Sequence, residues 1–122
     1  MIYQQDWIIK QIENMVQMIA KIIFKKDVVT YTVTNNEVNT GKDLLYTELL
    51  ELLSSLKINQ AENLLFNNIK TSDWDYLKIA MDFYTKLNKL SDEELAEADF
   101  SREEIKNGLE EILKMFGVLF WE

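Results

Sequence analysis

The chain of 122 residues contains no cysteine, no histidine and no proline, and only three glycines. Without cysteine it has neither a disulfide nor a thiolate metal site, and without histidine it lacks the commonest general base and zinc ligand. Nucleophile systems that pair serine or cysteine with histidine are excluded for the same reason. Three isolated glycines cannot form a phosphate-binding loop. We therefore expect a protein that is not an enzyme and that binds no cofactor and no metal.

The shortage of proline and glycine also bears on the fold, because tight turns and hairpins between strands need them. With 48% hydrophobic residues the chain can build a core, so one helical domain over residues 1–122 is predicted. No transmembrane helix is expected, since Lys10, Glu13 and Lys21 interrupt the most apolar segment. The N-terminus lacks the basic start and cleavage site of a signal peptide, which predicts a cytoplasmic protein.

The net charge of −8 is unevenly distributed. Residues 1–60 carry six lysines against seven acidic residues, whereas residues 61–122 carry seven basic against fourteen acidic residues. The acidic half would repel a phosphate backbone, and the one basic cluster, Lys21, Lys25 and Lys26, is small beside it. We therefore predict no nucleic-acid binding.

The first segment has the periodicity of one long amphipathic helix, over roughly residues 4–26 within a predicted N-terminal unit 1–26. Apolar side chains recur at intervals of three and four, and a second row widens the seam to a core-facing stripe. The seam predicts either packing inside the monomer or a two-fold dimer interface. Together with the apolar C-terminal tail it gives a candidate interaction surface: Trp7, Ile8, Ile12, Met15, Ile19, Phe120 and Trp121.

Residues 27–39 change in character towards valine, threonine and tyrosine. The β-branched run from Val28 to Val33 would suit a strand, but a single strand without a partner segment is marginal. We therefore predict an extended connector between the N-terminal helix and a set of helical hairpins over residues 40–122.

A series of helix-capping residues, each followed three positions later by a carboxylate, marks the starts of the later helices. In this pattern the cap oxygen accepts a free amide of the first turn, and the carboxylate reaches back to the amide of the cap. Two pairs of these starts are 32 residues apart, which indicates a helix-pair repeat. The five predicted caps and their carboxylates are Thr40 with Asp43, Asn59 with Glu62, Ser72 with Asp75, Ser91 with Glu94, and Ser101 with Glu104.

The final helix is predicted over residues 102–116, ending at Gly117 in a left-handed conformation. Gly108 inside it predicts a close helix crossing, since an interior glycine costs about 1 kcal/mol relative to alanine. The acidic run from Asp92 to Asp99 lacks the spacing of a calcium loop, so a solvated helix start is the better interpretation.

Aromatic residues crowd the segment that contains Trp74, Tyr76, Phe83 and Tyr84. Their spacing predicts a central helix that is buried on two faces. The alternative is a ligand or peptide groove lined by Tyr76 and Tyr84.

Three blocks, "QQDWIIKQIENM", "INQAENLLF" and "LSDEELAEADFSREEIKNGLEEI", together resemble an uncharacterised family of small all-helical bacterial proteins best known from Gram-positive anaerobes. The resemblance implies no specific activity. Members of that family are similar to tetratricopeptide-type helical repeats, and here Ala61 matches the small residue early in the second helix of that repeat. Leu49 and Leu56 depart from the repeat, and both argue against a regular superhelical groove.

The predicted fold class is thus all-α: a compact bundle of about five to six helices, built from repeat-like antiparallel hairpins and preceded by the long N-terminal helix. The leading functional hypothesis is a non-catalytic interaction or scaffold module with an unknown protein partner, including a second copy as a homodimer. The alternatives are a peripheral membrane protein, which the acidic half makes unlikely, and a small-molecule binder that uses carboxylates and tyrosines.

Overall fold

The fold is built around α4 (Trp74–Asn88), of whose fifteen residues ten are buried. The computed structural model describes residues 2–25, 29–33 and 41–118, the first four of them by their backbone. This described part contains six α-helices and no β-strand, which confirms the all-helical prediction. The helices other than α4 are α1 (Ile2–Ile19), α2 (Gly41–Ser54), α3 (Ile58–Asn68), α5 (Asp92–Glu97) and α6 (Arg102–Met115).

The N-terminal helix has the predicted length but changes its winding near its end. Residues Ala20–Phe24 continue α1 as a π-helical turn, and Lys25 ends it with a positive φ of 55°. Residues 29–33 form neither helix nor strand, and Val29 among them is buried. The rest of the predicted connector, residues 27–28 and 34–39, lies outside the described residues.

Two long helices pack antiparallel against α4. On one side the Asn88 side chain donates to the Ile9 carbonyl of α1 at 3.2 Å, while Lys78 lies over the Phe24 ring at the other end of the same contact. On the other side α6 starts beside the end of α4 and finishes beside its start. The buried apolar side chains of these helices form one core cluster. The central helix buried on two faces is therefore confirmed.

Helices α2 and α3 form a hairpin whose connection spans only three residues. Leu56 adopts a positive φ of 57° there, and the following Lys57 amide donates to the Leu52 carbonyl at 2.8 Å. This is the left-handed position where glycine is favoured, and a leucine there costs about 1 to 2 kcal/mol. Ala61 of α3 is fully buried.

Two of the five predicted helix starts are confirmed in detail. The Ser91 hydroxyl accepts from the Glu94 amide at 3.1 Å, and the Glu94 carboxylate accepts from the Ser91 amide at 2.9 Å, so this is a complete capping box. The Ser101 hydroxyl likewise accepts from the Glu104 amide at 3.1 Å.

Two other predicted caps were wrong by one or two positions. α4 is capped by Asp73 instead of Ser72, because the Asp73 carboxylate both accepts from the Asp75 amide and pairs with Lys42. α3 begins before Asn59, directly after the short turn at Leu56, and has no side-chain cap. The helix starts therefore do not keep the 32-residue spacing. The fifth predicted cap, Thr40, lies outside the described residues.

The two glycines of the last helix have the predicted roles. Gly117 has a φ of 77°, and its amide and that of Val118 close the end of α6 on the carbonyls of Lys114 and Leu113. Gly108 is buried where α3, α4 and α6 meet, and a β-carbon there would collide with the Glu62 carboxylate and the Tyr84 hydroxyl. The close helix crossing at Gly108 is thus confirmed.

Candidate functional site

The apolar seam of α1 faces the interior of the chain. Ile12 and Ile19 are fully buried, and Ile8 and Met15 are each 6% exposed. All four belong to the core cluster that includes α4. The prediction that these four residues lie on an interaction surface was therefore wrong, because α4 and α6 already pack against this helix.

Trp7 is the one residue of that predicted surface that the structure places in solvent, at 63% exposed. It lies in the first half of α1, towards the end of the molecule where Ile9 contacts Asn88. Phe120 and Trp121, the remaining members of the predicted surface, lie outside the described residues.

The two tyrosines predicted to line a groove are core residues instead. Tyr76 is 8% exposed and Tyr84 is fully buried, so neither is open to a ligand. The Tyr84 hydroxyl donates to the Glu62 carboxylate at 2.7 Å, at the crossing that Gly108 makes possible. Burial raises the pKa of both Tyr84 and Glu62, although the Tyr84 hydrogen bond opposes the shift at Glu62. The groove prediction was wrong because α4 is covered on more than one face.

A buried carboxylate that the sequence analysis missed lies at the middle of α4. Asp82 is 3% exposed and accepts three hydrogen bonds, from the Tyr31 amide at 3.0 Å, the Tyr46 hydroxyl at 3.0 Å and the Lys86 ammonium at 2.6 Å. Burial lowers the pKa of Lys86, but the hydrogen bond to Asp82, the negative charge of that carboxylate and the contact with Tyr46 together outweigh burial and leave that pKa raised. The signal in the sequence is an aspartate inside the apolar run "IAMDFY".

The same network fastens residues 29–33 to the bundle. The Tyr31 hydroxyl donates to Asp43 at 2.6 Å, and its ring lies 5.1 Å from the ring of Tyr46. Asp43 and Asp82 are both buried, so Tyr31 connects two carboxylates on α2 and α4. Both oxygens of Asp82 accept hydrogen bonds from the protein itself, so this arrangement is best explained as a structural link.

A buried arginine joins the last residue of α4 to the start of α6. Arg102 is 5% exposed, and its guanidinium donates to the Asn88 carbonyl at 2.9 Å, the Leu90 carbonyl at 2.6 Å and the Asp92 carboxylate at 3.1 Å. It is the only arginine in a chain with twelve lysines. The planar guanidinium donates from two terminal nitrogens to different acceptors, which the single nitrogen of a lysine does less well, and the lone arginine is the signal that the sequence offers.

One end of the bundle carries an exposed aromatic surface. We call it the aromatic face and define it by Ile23, Phe24, Trp74, Lys78 and Phe116. The rings of Trp74 and Phe116 stack with centroids 5.7 Å apart, and the Lys78 ammonium lies 5.6 Å from the centre of the Phe24 ring. Trp74 is nevertheless 49% exposed. A cleft of about 360 Å³ lies between Phe24 and Trp74.

Exposed lysines lie close along the chain to residues of the aromatic face, in a protein whose net charge is −8. Lys21, Lys25 and Lys114 are exposed, and none of them makes an ion pair with a described residue. The acidic side chain within the cleft, Asp75, is paired with Lys42 at 2.7 Å and lies 3.8 Å from Lys78. The pKa of Lys42 is raised, because its ammonium donates hydrogen bonds to Asp75 and to Asp73.

A second cleft, of about 280 Å³, lies between α1, α4 and Val29. Its walls are mainly apolar, from Ile12, Val16 and Val29, with Glu13 and Lys89 among the polar residues that line it. Thr85 and Asn88 also line it, and each has a side-chain oxygen without a hydrogen-bond partner, but these oxygens are shielded from solvent. Five of the eight residues that line this cleft are polar, although most of its inner surface is apolar.

Carboxylates do not converge on a metal site in the part of the chain that the structure describes, where no group of three ligand side chains is arranged for one. The acidic run Asp92 to Asp99 forms the short helix α5 and its flanks, with Ser91 as the cap. Across residues 2–25, 29–33 and 41–118, no helix is both long enough and apolar enough to cross a membrane.

These contacts define a small all-helical bundle with one core cluster and with the stacked rings of the aromatic face at one end. The chain belongs to a family of unknown function, DUF6483, whose model matches residues 2–117. The match supports the resemblance to an uncharacterised family that the three sequence blocks gave. Neither a curated protein nor a solved structure matches the chain.

Proposed function

We propose that this chain is a non-catalytic helical protein-interaction module, and that the aromatic face is the surface that binds its partner. The observation that carries the proposal is Trp74, which stacks on Phe116 and yet remains 49% exposed beside an open cleft. Aromatic side chains are enriched at the energetic centres of protein interfaces because they bury a large area with few rotatable bonds. A surface of this kind does nothing for solubility, so a bound partner is the better explanation.

The packing of the molecule favours this surface over those predicted from sequence. The α1 seam is used inside one chain, so a homodimer through that seam loses its support. The tyrosine-based small-molecule binder loses its basis as well, because Tyr76 and Tyr84 are buried.

The remaining parts of the proposal rest on the sequence. We place the protein in the cytoplasm of a bacterium and give it no enzymatic activity and no cofactor, since it lacks histidine and cysteine and resembles a bacterial helical family. A relationship to tetratricopeptide repeats is supported by the α2–α3 hairpin with Ala61 buried in it.

Site-specific photo-crosslinking tests the proposal. A photoreactive phenylalanine analogue is placed at position 74 or at position 7 of the full chain, and the protein is crosslinked in cells of the organism that naturally makes it. Trp7 and Trp74 are both exposed and lie near opposite ends of the molecule. Phe24, which belongs to the aromatic face, is about 25 Å from Trp7 along the helix axis. We expect a discrete crosslinked protein from position 74 and none from position 7. Equal crosslinking from both positions, or none from position 74, would refute the proposed surface.

A further inference from the structure

We propose that the partner of the aromatic face is an acidic, amphipathic segment of another protein, which places an apolar side chain in the cleft and its carboxylates against the surrounding lysines. This inference rests on the proposed function and adds the chemistry of the partner.

The charge around the aromatic face is positive although the chain is not. Lys21 and Lys25 flank Phe24 along the chain, and Lys114 lies two residues before Phe116. These lysines are exposed and make no ion pair with a described residue, so they are available to a partner. The nearest exposed carboxylate on α6, Glu111, lies about one turn before Met115. An acidic partner is therefore complementary to this end.

The acidic charge of the described chain is concentrated at the opposite end. Arg102 joins the start of α6 to the end of α4, whereas Trp74 is at the start of α4. The acidic residues that cluster beside Arg102 are Asp92, Glu93, Glu94, Glu97, Asp99, Glu103 and Glu104. An acidic segment approaching the molecule is repelled there and attracted at the aromatic face, so the field of the protein orients the encounter.

The cleft between Phe24 and Trp74 provides a place for an apolar anchor. Ile23, Phe24 and Trp74 supply its apolar walls, and Asp75 and Lys78 lie at its edge. Lys78 is 34% exposed in its side chain, so its ammonium can contact a carboxylate from the partner while it stays over the Phe24 ring. An amphipathic helix that alternates large apolar and acidic side chains meets both requirements.

A local segment fits this charge pattern better than an extended polyanion. A membrane or a nucleic acid presents negative charge over a large area and would also face the acidic remainder of a protein with net charge −8. The basic patch is limited to one end of the bundle, which matches a short peptide segment. The structure thus favours a protein partner over a lipid surface.

The test is a nitrogen-15 NMR titration of the full chain with a synthetic amphipathic helix of leucine and glutamate, about 18 residues long. The indole N–H of Trp74 reports on the aromatic face, and that of Trp7 is the internal control. The same helix with glutamine or lysine in place of glutamate supplies two comparison probes. We expect the acidic helix to shift the Trp74 signal and not the Trp7 signal, and the lysine version to bind at least about tenfold more weakly.

A matched pair of variants isolates the charge. The triple variant Lys21→Gln, Lys25→Gln, Lys114→Gln should weaken binding of the acidic helix by about tenfold, because three exposed attractions are lost. The control variant Lys10→Gln, Lys57→Gln, Lys89→Gln makes the same change in net charge away from the aromatic face and should change the affinity less than about twofold. Equal losses in both variants would overturn the inference.

Other outcomes separate this inference from the proposed function. If all three helices shift Trp74 equally, the aromatic face still binds a partner but the acidic chemistry is wrong. If no helix shifts Trp74, the inference fails, and crosslinking at position 74 decides the proposed function independently. Three other results would also overturn the inference. The Trp74 signal could shift only when phosphatidylserine vesicles are added, or it could shift with the concentration of the protein alone. It could also shift, without any peptide, in a Phe120→Ser, Trp121→Ser variant. Those results assign the face to a membrane, a second copy or the last residues of the chain.

Discussion

Replacing Asp82 with alanine is expected to lower the free energy of unfolding by about 2 to 4 kcal/mol, because two neutral donors lose the charged acceptor that they share, while Lys86, whose side chain is 42% exposed, stays solvated. The Asp82 carboxylate is almost fully buried and accepts from Lys86, Tyr46 and the Tyr31 amide. Without it, the Tyr46 hydroxyl and the Tyr31 amide lose an acceptor in a place where water cannot easily replace it. The loss should therefore be large for a residue that no core pattern predicts.

Urea unfolding measures this loss, and amide hydrogen exchange locates it. Exchange at Tyr31 should accelerate in Asp82→Ala, because that amide donates to the carboxylate. Asp82→Asn keeps an acceptor and should lose less. The control is Lys106→Ala, which removes a surface pair with Glu110 at 3.6 Å and should cost less than about 0.5 kcal/mol. A loss in Asp82→Ala no larger than in Lys106→Ala would show that the buried network does not stabilise the fold.

Replacing Arg102 with methionine is expected to cost about 2 to 4 kcal/mol of unfolding free energy, since two backbone carbonyls at the end of α4 lose a charged donor. Methionine fills much of the same volume, so the loss is mainly that of the hydrogen bonds to Asn88 and Leu90. Arg102→Lys keeps the charge but cannot reach three acceptors, so most of the loss should remain.

Asp92→Asn is the matched control for Arg102, because it alters the third acceptor of the same guanidinium. The Asp92 side chain is 59% exposed, so its ion pair with Arg102 should contribute less than about 1 kcal/mol. Thermal unfolding of the three variants, followed by circular dichroism, measures the difference. If Arg102→Met and Asp92→Asn lose the same amount, the carbonyl contacts are not the source of the stability.

Local signals predicted much of this fold correctly. The complete capping box at Ser91, the cap at Ser101 and the left-handed end at Gly117 each depend on residues within four positions of one another. The long helix α1 followed from its apolar periodicity, and the crossing at Gly108 followed from the cost of an interior glycine.

The misses involve contacts between distant segments. Asp82 accepts from Tyr31, which is 51 positions away, and no local pattern links the two. The same limit applies to the choice of Asp73 over Ser72 as a cap, because Lys42 of α2 pairs with Asp73. Charged residues are seldom buried, and the three that are buried in the described part of the chain, Asp43, Asp82 and Arg102, are partnered by groups that only the tertiary fold brings together.

The candidate surface was predicted least well. Periodicity shows that the α1 seam is apolar, but it does not say whether the seam faces another part of the same chain or another molecule. The aromatic face combines the π-helical turn after α1, the first turns of α4 and the residue that follows α6, which meet only in the folded bundle. The sequence pattern places Trp74 among several aromatic residues of a helix that is predicted to be buried, and nothing in it separates Trp74 from the others.

The central claim is that the aromatic face contributes little to the stability of the fold and serves to bind a partner. The most direct test compares the unfolding free energies of two variants, Trp74→Ser and Leu77→Ala. Leu77 lies one turn further along the same helix and is fully buried. We predict a loss of about 1 to 2 kcal/mol for Trp74→Ser, from the ring stacking and the part of its surface that is buried, and of about 3 to 5 kcal/mol for Leu77→Ala, from the cavity that it leaves. If Trp74→Ser loses as much as Leu77→Ala, Trp74 belongs to the core and the claim is contradicted.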